Sequence, residues 1–477
     1  MNGNRKRTCK MFARVKERMN GMKKKKLMSL LLVSAMVCSM AAGCGGGKEA
    51  SGSQETKGES KEETKEASGN ETKEASGEQE EKVLTMMNYI DPANTDDPMQ
   101  SVVIKLYEKF TEETGIKIEY NVVPWDQLES KIVITNRAGA PSDLVAVSSQ
   151  KLASLVNSGA LMPLDDMIDE SYNRDDFSNA VWAAGTYSGD NKVYCMLQSV
   201  HTRGIWYNTD YVKEAPKTWD EIVSAGQKAM SENEGIYGFG FWGGKHYASG
   251  ETAIGPLTWA GGGKLTNDDG SAAWDNDAAA DAIKFMSDCV NEYKITPETC
   301  LSVSDYNDVT QQFAAGNIAM IFDGSYAKPT LEASDLGKEG KFDFAPVPAK
   351  TEGGPQPHFS NGWAWGIPSK SKQPELAWEF IKWFSQKEQQ LAHSKAEGGL
   401  PITIEAQQDE MYQEGLEKKF IDNLNNNAHS MDPFVYYQEG LEELAVAGAT
   451  YCLDPSSDLK AVLKESQEAF NQKYYAE

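Results

Sequence analysis

Residues 83–477 predict an α/β fold, two lobes with several chain crossings between them, on three observations. Apolar runs of strand length alternate with segments of helical periodicity, the pattern of α/β layers with a largely parallel sheet. No Pro-, Gly- or Ser-rich linker divides this body, which argues against beads on a string. And 477 residues are too many for one simple domain.

The elements follow in order. Val83 to Ile90 is an apolar run suited to a buried strand. Val103, Leu106, Tyr107 and Phe110 stand at helical spacing within 101–114, and Gly115 stops that helix. Ile116, Ile118, Tyr120 and Val122 alternate as a strand. Leu144 to Val147 is a short strand after Pro141, and Leu152, Leu155 and Val156 mark a helix ending at Gly159. A second series starts near Gly204, with Ile205-Trp206-Tyr207 as a strand. Thr218 to Glu221 reads as a capping box, opening a helix through Ile222, Val223, Ala229 and Met230. Gly238 to Trp242 predicts a strand. Ala282, Phe285, Met286 and Cys289 share a helix face within 278–290. Ala319 to Phe322 and Ala364 to Ile367 are further strands. Pro374-Glu375 opens a helix carrying Ala377, Phe380, Ile381 and Phe384. The last hundred residues are mainly helical, with Leu416, Phe420 and Leu424 in one helix and Leu459, Val462, Leu463 and Phe470 in another.

Charge divides the chain into three. The whole carries −24. Residues 1–43 hold 11 basic and 1 acidic side chains, residues 44–82 hold 6 and 11, and residues 83–477 hold 30 and 59. An acidic body argues against a nucleic-acid partner, which would want a basic stripe.

The first segment reads as an export signal. Lys23 to Lys26 precede an uncharged apolar run, Leu27 to Met40, too short to span a bilayer as a mature helix. The twenty residues before Gly21 exceed an ordinary n-region, so Met19 or Met22 competes with Met1 as the start. Met40-Ala41-Ala42-Gly43-Cys44 resembles the lipobox of bacterial lipoproteins, with Ala41 where Leu is usual. That resemblance implies a signal peptide over 1–43 and a lipidated Cys44 as the new N-terminus. Residues 45–82 contain no aromatic, Leu, Ile, Val or Met, and repeat Lys-Glu-Ala-Ser-Gly at 48–52, 65–69 and 73–77. Such a segment cannot offset its ordering entropy by burial. It predicts a tether of about 35 Å as a coil. Of the cysteines left in the body, Cys289 and Cys300 could bridge; the alternative for these and for Cys195 and Cys452 is buried free thiols.

Catalytic signatures are missing. There is no H-E-x-x-H, no G-x-S-x-G and no phosphate loop. The five His are scattered, without metal-ligand spacing. Adjacent carboxylates at Asp165-Asp166, Asp268-Asp269 and Glu442-Glu443 read as solvated charge. All eleven Trp fall in 83–477, several beside Gly or at strand ends, where α/β proteins bind ligands.

Motifs along the body, in order, resemble extracellular solute-binding proteins of bacterial ABC importers, of the carbohydrate-binding class related to maltose-binding protein. They run from Tyr107 to Ile116, through Gly139-Ala140-Pro141-Ser142-Asp143-Leu144 (with Ser142 inserted), to Asn157 to Asp165. Trp206-Tyr207-Asn208-Thr209-Asp210 with Pro216 to Glu221 is the most diagnostic pair. Phe313 to Met320, Asp323-Gly324-Ser325-Tyr326, Ala377 to Ile381 and Gly398-Gly399-Leu400-Pro401 complete the series. The resemblance implies a periplasmic-binding-protein-like fold. Lobe one would be 83–199 with 360–405, and lobe two 200–359 with 406–477, joined by three crossings around a ligand cleft. It implies capture of a sugar or oligosaccharide by hinge closure and delivery to a membrane permease. The protein would be a monomer and not an enzyme, with no cofactor and no metal-site residues nominated, whether a metal is bound being left open by the sequence, and ATP hydrolysis would belong to partner subunits. Family position and local chemistry together nominate ligand contacts at Asn88, Tyr89, Trp125, Asp126, Ser148, Ser149, His201, Arg203, Trp242, Trp259, Asp323, Tyr326, Trp363 and Tyr436. Small hydroxyls at 148 and 149 speak against a tight match to maltose. Arg203 has an alternative, pairing with an acidic neighbour in the hinge. Competing functions are a non-sugar solute, such as a polyamine or peptide, and a surface carbohydrate hydrolase or sensor.

Overall fold

Two sheets of unequal size organise the body. The computed structural model describes residues 82–169, 172–187, 189–303, 307–429 and 435–476. The export signal, Cys44 and the tether up to Glu81 lie outside these residues. The described residues group as one unit by their contacts.

The larger sheet has five strands, in the spatial order Lys117–Val122, Val83–Asn88, Leu144–Ser148, Trp363–Gly366 and Cys195–Leu197. The first three are parallel, and Trp363–Gly366 is antiparallel to both its neighbours. Met86 stands opposite Leu144, and Trp363 opposite Ser148. The central strands are buried on both faces, as their continuous apolar runs predict, with Leu84, Met86, Leu144 and Ala146 fully enclosed. Lys117–Val122 is an edge strand, and its alternation shows in burial, with Ile118 and Tyr120 the covered positions. The first helix runs Pro98–Thr114, three residues longer at its start than its apolar spacing suggests. The Asp97 carboxylate caps it by accepting from the Gln100 amide at 2.9 Å, and Gly115 ends it at φ +71°. Its Tyr107 and Phe110 meet Phe380 of the Pro374–Phe384 helix edge to face, at 5.7 and 5.0 Å between ring centres.

The smaller sheet is wholly antiparallel: Met320–Gly324, Arg203–Asn208, Phe342–Pro346. The largely parallel arrangement expected from βα alternation thus holds only for three strands of the larger sheet. A strand reached by a crossing enters from the opposite end, so its direction is set by the crossing and not by a βαβ unit. Strand period places Ile205 and Tyr207 on one face with Phe239 and Phe322, and Trp206 on the other against Phe344 and Phe420. The Trp206 face continues into the core of the larger sheet.

Gly238 to Trp242 is not a regular strand. It contributes single bridges, Tyr237 to Ile318 and Gly240 to Ile321, beside the small sheet. A Cβ on Gly238 would fall 2.5 Å from the Gly226 Cα of the Trp219–Glu232 helix, so close helix packing takes precedence over sheet regularity here. That helix starts as predicted, with the Thr218 hydroxyl accepting from the Glu221 amide at 3.3 Å. The returning Glu221 carboxylate accepts from Lys217 N, one residue earlier than a standard capping box would place it.

The chain passes between the sheets at three places, and the passages are bonded side by side. Val200 and Leu400 exchange backbone hydrogen bonds of 2.9 and 2.7 Å, and His201 N donates to Asn361 O at 2.8 Å. A Cβ on Gly362 would stand 2.0 Å from the Ser199 carbonyl oxygen, which explains glycine at this contact. After the third passage the Gly415–Asn427 helix packs on the small sheet through Phe420 and Phe344, 4.8 Å apart. Cys195, Cys289, Cys300 and Cys452 are all buried free thiols, so the possible Cys289–Cys300 bridge is not formed. Among the described residues no helix is long and apolar enough to cross a membrane.

Candidate functional site

A cleft of about 1490 Å³ opens at the carboxyl ends of the parallel strands. That exceeds the ~300–1,000 Å³ usual for a drug-sized ligand. Each strand end delivers residues to it. Tyr89 follows the first strand, Trp125 and Asp126 follow the second, and Ser148, Gln150 and Lys151 finish or follow the third. Asn361, Gly362 and Trp363 enter as the returning chain joins the large sheet. The opposite wall carries Arg203, at the start of the central strand of the small sheet, and Tyr326, just past the end of its neighbour.

Aromatic faces dominate. Tyr89 and Trp363 pack at 4.6 Å between ring centres with a 41° tilt. Trp125, on a 3-10 turn after Pro124, is 49% exposed, an unusual cost for so large an apolar surface. Tyr326 meets His201 edge to face at 5.6 Å, and the Arg203 guanidinium lies 5.8 Å from its ring centre.

The charges of the floor are satisfied within the protein. Arg203 donates to Glu251 Oε2, to Asn361 Oδ1 and to Phe359 O, each at 3.0 Å. Glu251 Oε1 also accepts from Tyr437 at 2.6 Å and from Gln150 at 2.5 Å. Glu397 accepts from the Ser199 hydroxyl, with His201 Nε2 and His393 Nδ1 each 3.6 Å away. Burial pushes the Glu397 carboxyl up, but the two imidazoles and the hydrogen bonds outweigh it and hold it down at about 2. Tyr89 is pushed well up by burial and by the Glu397 charge, so its hydroxyl stays protonated. Among the described residues no group of three His, Cys, Asp or Glu side chains is arranged to hold a metal ion.

Of the nominated residues, Tyr89, Trp125, Asp126, Ser148, His201, Arg203, Tyr326 and Trp363 line this cleft. The other six lie elsewhere. Asn88 turns inward, donating to Tyr107 Oη at 2.9 Å. Ser149 is buried, its hydroxyl accepting from Gly362 N at 3.4 Å. Trp242 is enclosed in the core. Trp259 lies between Phe359 and His429, with ring centres 6.1 and 4.1 Å away. Asp323 is buried and accepts from Thr310 and Gly324 N. Tyr436 packs on Tyr474 at 4.5 Å. Arg203 does both things open to it, pairing with an acid and facing the cleft.

Sequence reading missed Gln150, Lys151, Glu251, Asn361, Glu397 and Gln438. One signal was available. Glu251 is the only charged residue between His246 and Gly263, a segment otherwise apolar or small. A lone carboxylate in such a segment is buried and must find a partner. It stands in a π-helical turn, Gly250–Ile254, a geometry frequent at functional sites.

Residues 92–391 match the family described as bacterial extracellular solute-binding protein. The chain belongs to that family, a class of binding proteins rather than enzymes. Its relatives include the maltodextrin-binding protein of Bacillus subtilis (strain 168), 23% identical over 312 residues, which covers 64% of this chain and 69% of the relative. A maltooligosaccharide ABC transporter solute-binding lipoprotein of Streptococcus pneumoniae (strain ATCC BAA-255 / R6) is 23% identical over 318 residues, 65% of this chain and 71% of that one. Among solved structures, an ABC transporter solute-binding protein of Thermotoga lettingae bound with α-D-tagatose superposes with a TM-score of 0.71. It is 23% identical, and the match covers 82% of this chain and 99% of that one. The likeness establishes the two-lobe α/β fold.

Proposed function

We propose that this protein captures a neutral carbohydrate of more than one sugar unit and delivers it to the permease of an ABC importer. Lobe one, 83–199 with 360–405, closes on lobe two, 200–359 with 406–477, about the three bonded crossings. Closure is a population shift that the permease reads, and partner subunits hydrolyse ATP. Residues 1–43 are removed, lipid on Cys44 anchors the monomer to the outer face of the membrane, and residues 45–82 are the tether.

The observation that carries the reading is the cleft floor. Aromatic faces at Tyr89, Trp125, Tyr326 and Trp363 offer stacking surface for the apolar faces of sugar rings. Of the charges beside them, Arg203 pairs with Glu251, Lys151 pairs with Glu129 at 3.2 Å, and Glu397 accepts from the Ser199 hydroxyl. Asp97, already a helix cap, and Asp126 are the lining carboxylates outside these bonds, fewer than the three charges of spermidine would need, and desolvating an ion here without a partner is costly. A polyhydroxyl ligand exchanges hydrogen bonds with such groups and needs no counter-charge. The names of the maltodextrin and maltooligosaccharide relatives point the same way.

A thermal-shift screen tests this, with maltose, maltotriose, an arabinooligosaccharide and tagatose set against spermidine and short peptides. One oligosaccharide at 100 times its Kd should add about 2.7 kcal/mol to the folded state and raise Tm by several degrees. A shift with spermidine or peptide alone refutes the sugar assignment, and release of shorter sugars during incubation refutes a pure binder. Trp125→Ala should weaken the active sugar by roughly tenfold or more, with Tm in its absence unchanged, because the indole is half in solvent.

A further inference from the structure

Two consecutive residues reach across the cleft. Gln150 and Lys151 lie in the 3-10 turn Ser149–Lys151 that follows the third strand of the large sheet. Gln150 Nε2 donates to Glu251 Oε1 at 2.5 Å, and Lys151 Nζ donates to Gln438 Oε1. Glu251 belongs to the π-helical turn Gly250–Ile254, and Gln438 to the Tyr437–Leu453 helix, which packs on that turn. All four residues line the cleft.

Both ends are held in place. On one side the Ser148 hydroxyl donates to Gln150 Oε1 at 2.8 Å, and Glu129 pairs with Lys151. On the other, Arg203 and Tyr437 hold the Glu251 carboxylate from the crossing and from the helix. Neither bond can survive separation of the two walls.

We propose that Gln150 and Lys151 form a latch that stabilises the closed cleft independently of any ligand, docking on Glu251 and Gln438. The proposal rests on the hinged-binder reading above but not on the nature of the solute. These are positioning residues. They set the share of molecules in the binding-competent state, and apparent affinity scales with that share. Loss of the latch therefore weakens every ligand by one common factor, whereas loss of a wall aromatic changes the ranking of ligands.

Dyes on Ile134→Cys and Leu453→Cys, both 62% exposed, one on each side of the cleft, report its opening by single-molecule energy transfer. The protein is studied with no added solute and with Cys9, Cys38 and Cys44 replaced by Ser, the four remaining native thiols being buried. Two hydrogen bonds, one of them to a carboxylate and one from an ammonium, predict a roughly tenfold or greater fall in the closed-to-open ratio for Gln150→Ala/Lys151→Ala. Gln150→Glu, which sets two carboxylates face to face, should lower the ratio further at unchanged size. Equal transfer distributions for parent and both variants, with cooperative melting retained, overturn the latch. The thermal-shift screen fails or succeeds separately, because it asks which solute binds and this experiment adds none.

Discussion

Replacing Arg203 by alanine should cost about 3–5 kcal/mol of stability, several times the worth of an exposed ion pair. The guanidinium and the Glu251 carboxylate are 3% and 1% exposed as residues, and their bond is 3.0 Å. Truncation removes the cation and leaves a buried anion that still accepts from Tyr437 and Gln150. It also removes the guanidinium's bonds to Phe359 O and Asn361 Oδ1 at the second crossing. Urea denaturation reads the loss. Arg203→Ala combined with Glu251→Gln should recover a substantial part, because the residual charge is gone. A loss under 1 kcal/mol for the single variant would mean that Glu251 is neutral or hydrated, and that the floor is not the closed ion pair described here. The same pair bears on function, since a Glu251 freed to point elsewhere no longer receives Gln150.

The second large effect is acid sensitivity centred on His358. Its ring lies in the parallel pair of His358–Phe359 with Ala428–His429 and is fully buried. Nδ1 faces Arg203 N at 3.4 Å, and Nε2 lies 3.0 Å from Thr202 Oγ1 and 3.2 Å from Asn423 O. Nδ1 also lies 3.1 Å from Phe359 O, so a backbone carbonyl stands within hydrogen-bond distance of each ring nitrogen. Burial pulls the imidazole down to about 4, opposed by its hydrogen bonds to the Phe359 and Asn423 carbonyls and helped by the Arg203 charge. The folded-state value is depressed, so the unfolded chain takes up the proton first, beginning near pH 6.5. Stability is complete above that value and is lost as pH falls from about 6.5 to about 4, by roughly 3 kcal/mol for this group alone. Denaturation at pH 7 and pH 4.5 measures it. His358→Gln, which keeps a donor and an acceptor, should flatten this part of the curve. An unchanged slope in the variant would assign the acid loss to other groups. Glu397 adds its own loss at lower pH, from about 4.5, where the unfolded carboxyl takes up its proton, down to about 2, where the folded one does.

Much of the fold was legible because burial writes periodicity into a chain. Leu84, Met86, Leu144 and Ala146 had to lie in strands covered on both faces, and Tyr107, Phe110, Phe380 and Phe384 had to line helices above them. Gly238 to Trp242 misled because its apolar run obeyed helix packing at Gly226 instead of sheet pairing. The antiparallel small sheet was invisible, since strand direction follows from where a crossing re-enters and leaves no mark on composition.

The same division runs through the site. Position at strand ends brought Tyr89, Trp125 and Ser148 to the cleft, because the carboxyl ends of parallel strands share one edge, while Arg203, Tyr326 and Trp363 reach it from the ends of antiparallel strands. The same reasoning nominated Trp242, Trp259 and Asp323, which are buried away from the cleft. An indole beside a glycine looks the same in sequence whether it faces a cleft or a core, and Trp242 and Trp259 face the core. The partners of the buried charges were equally out of reach. Glu251 meets Gln150 across 101 positions and Tyr437 across 186, and Glu397 meets Ser199 across 198. The amino-acid sequence by itself determined the family, the α/β layers and the aromatic supply of the cleft, because these rest on local pattern and motif order. Which side chains face the cavity, and which charges neutralise one another beneath it, was decided only by tertiary structure, because those energies arise between residues that only folding brings together.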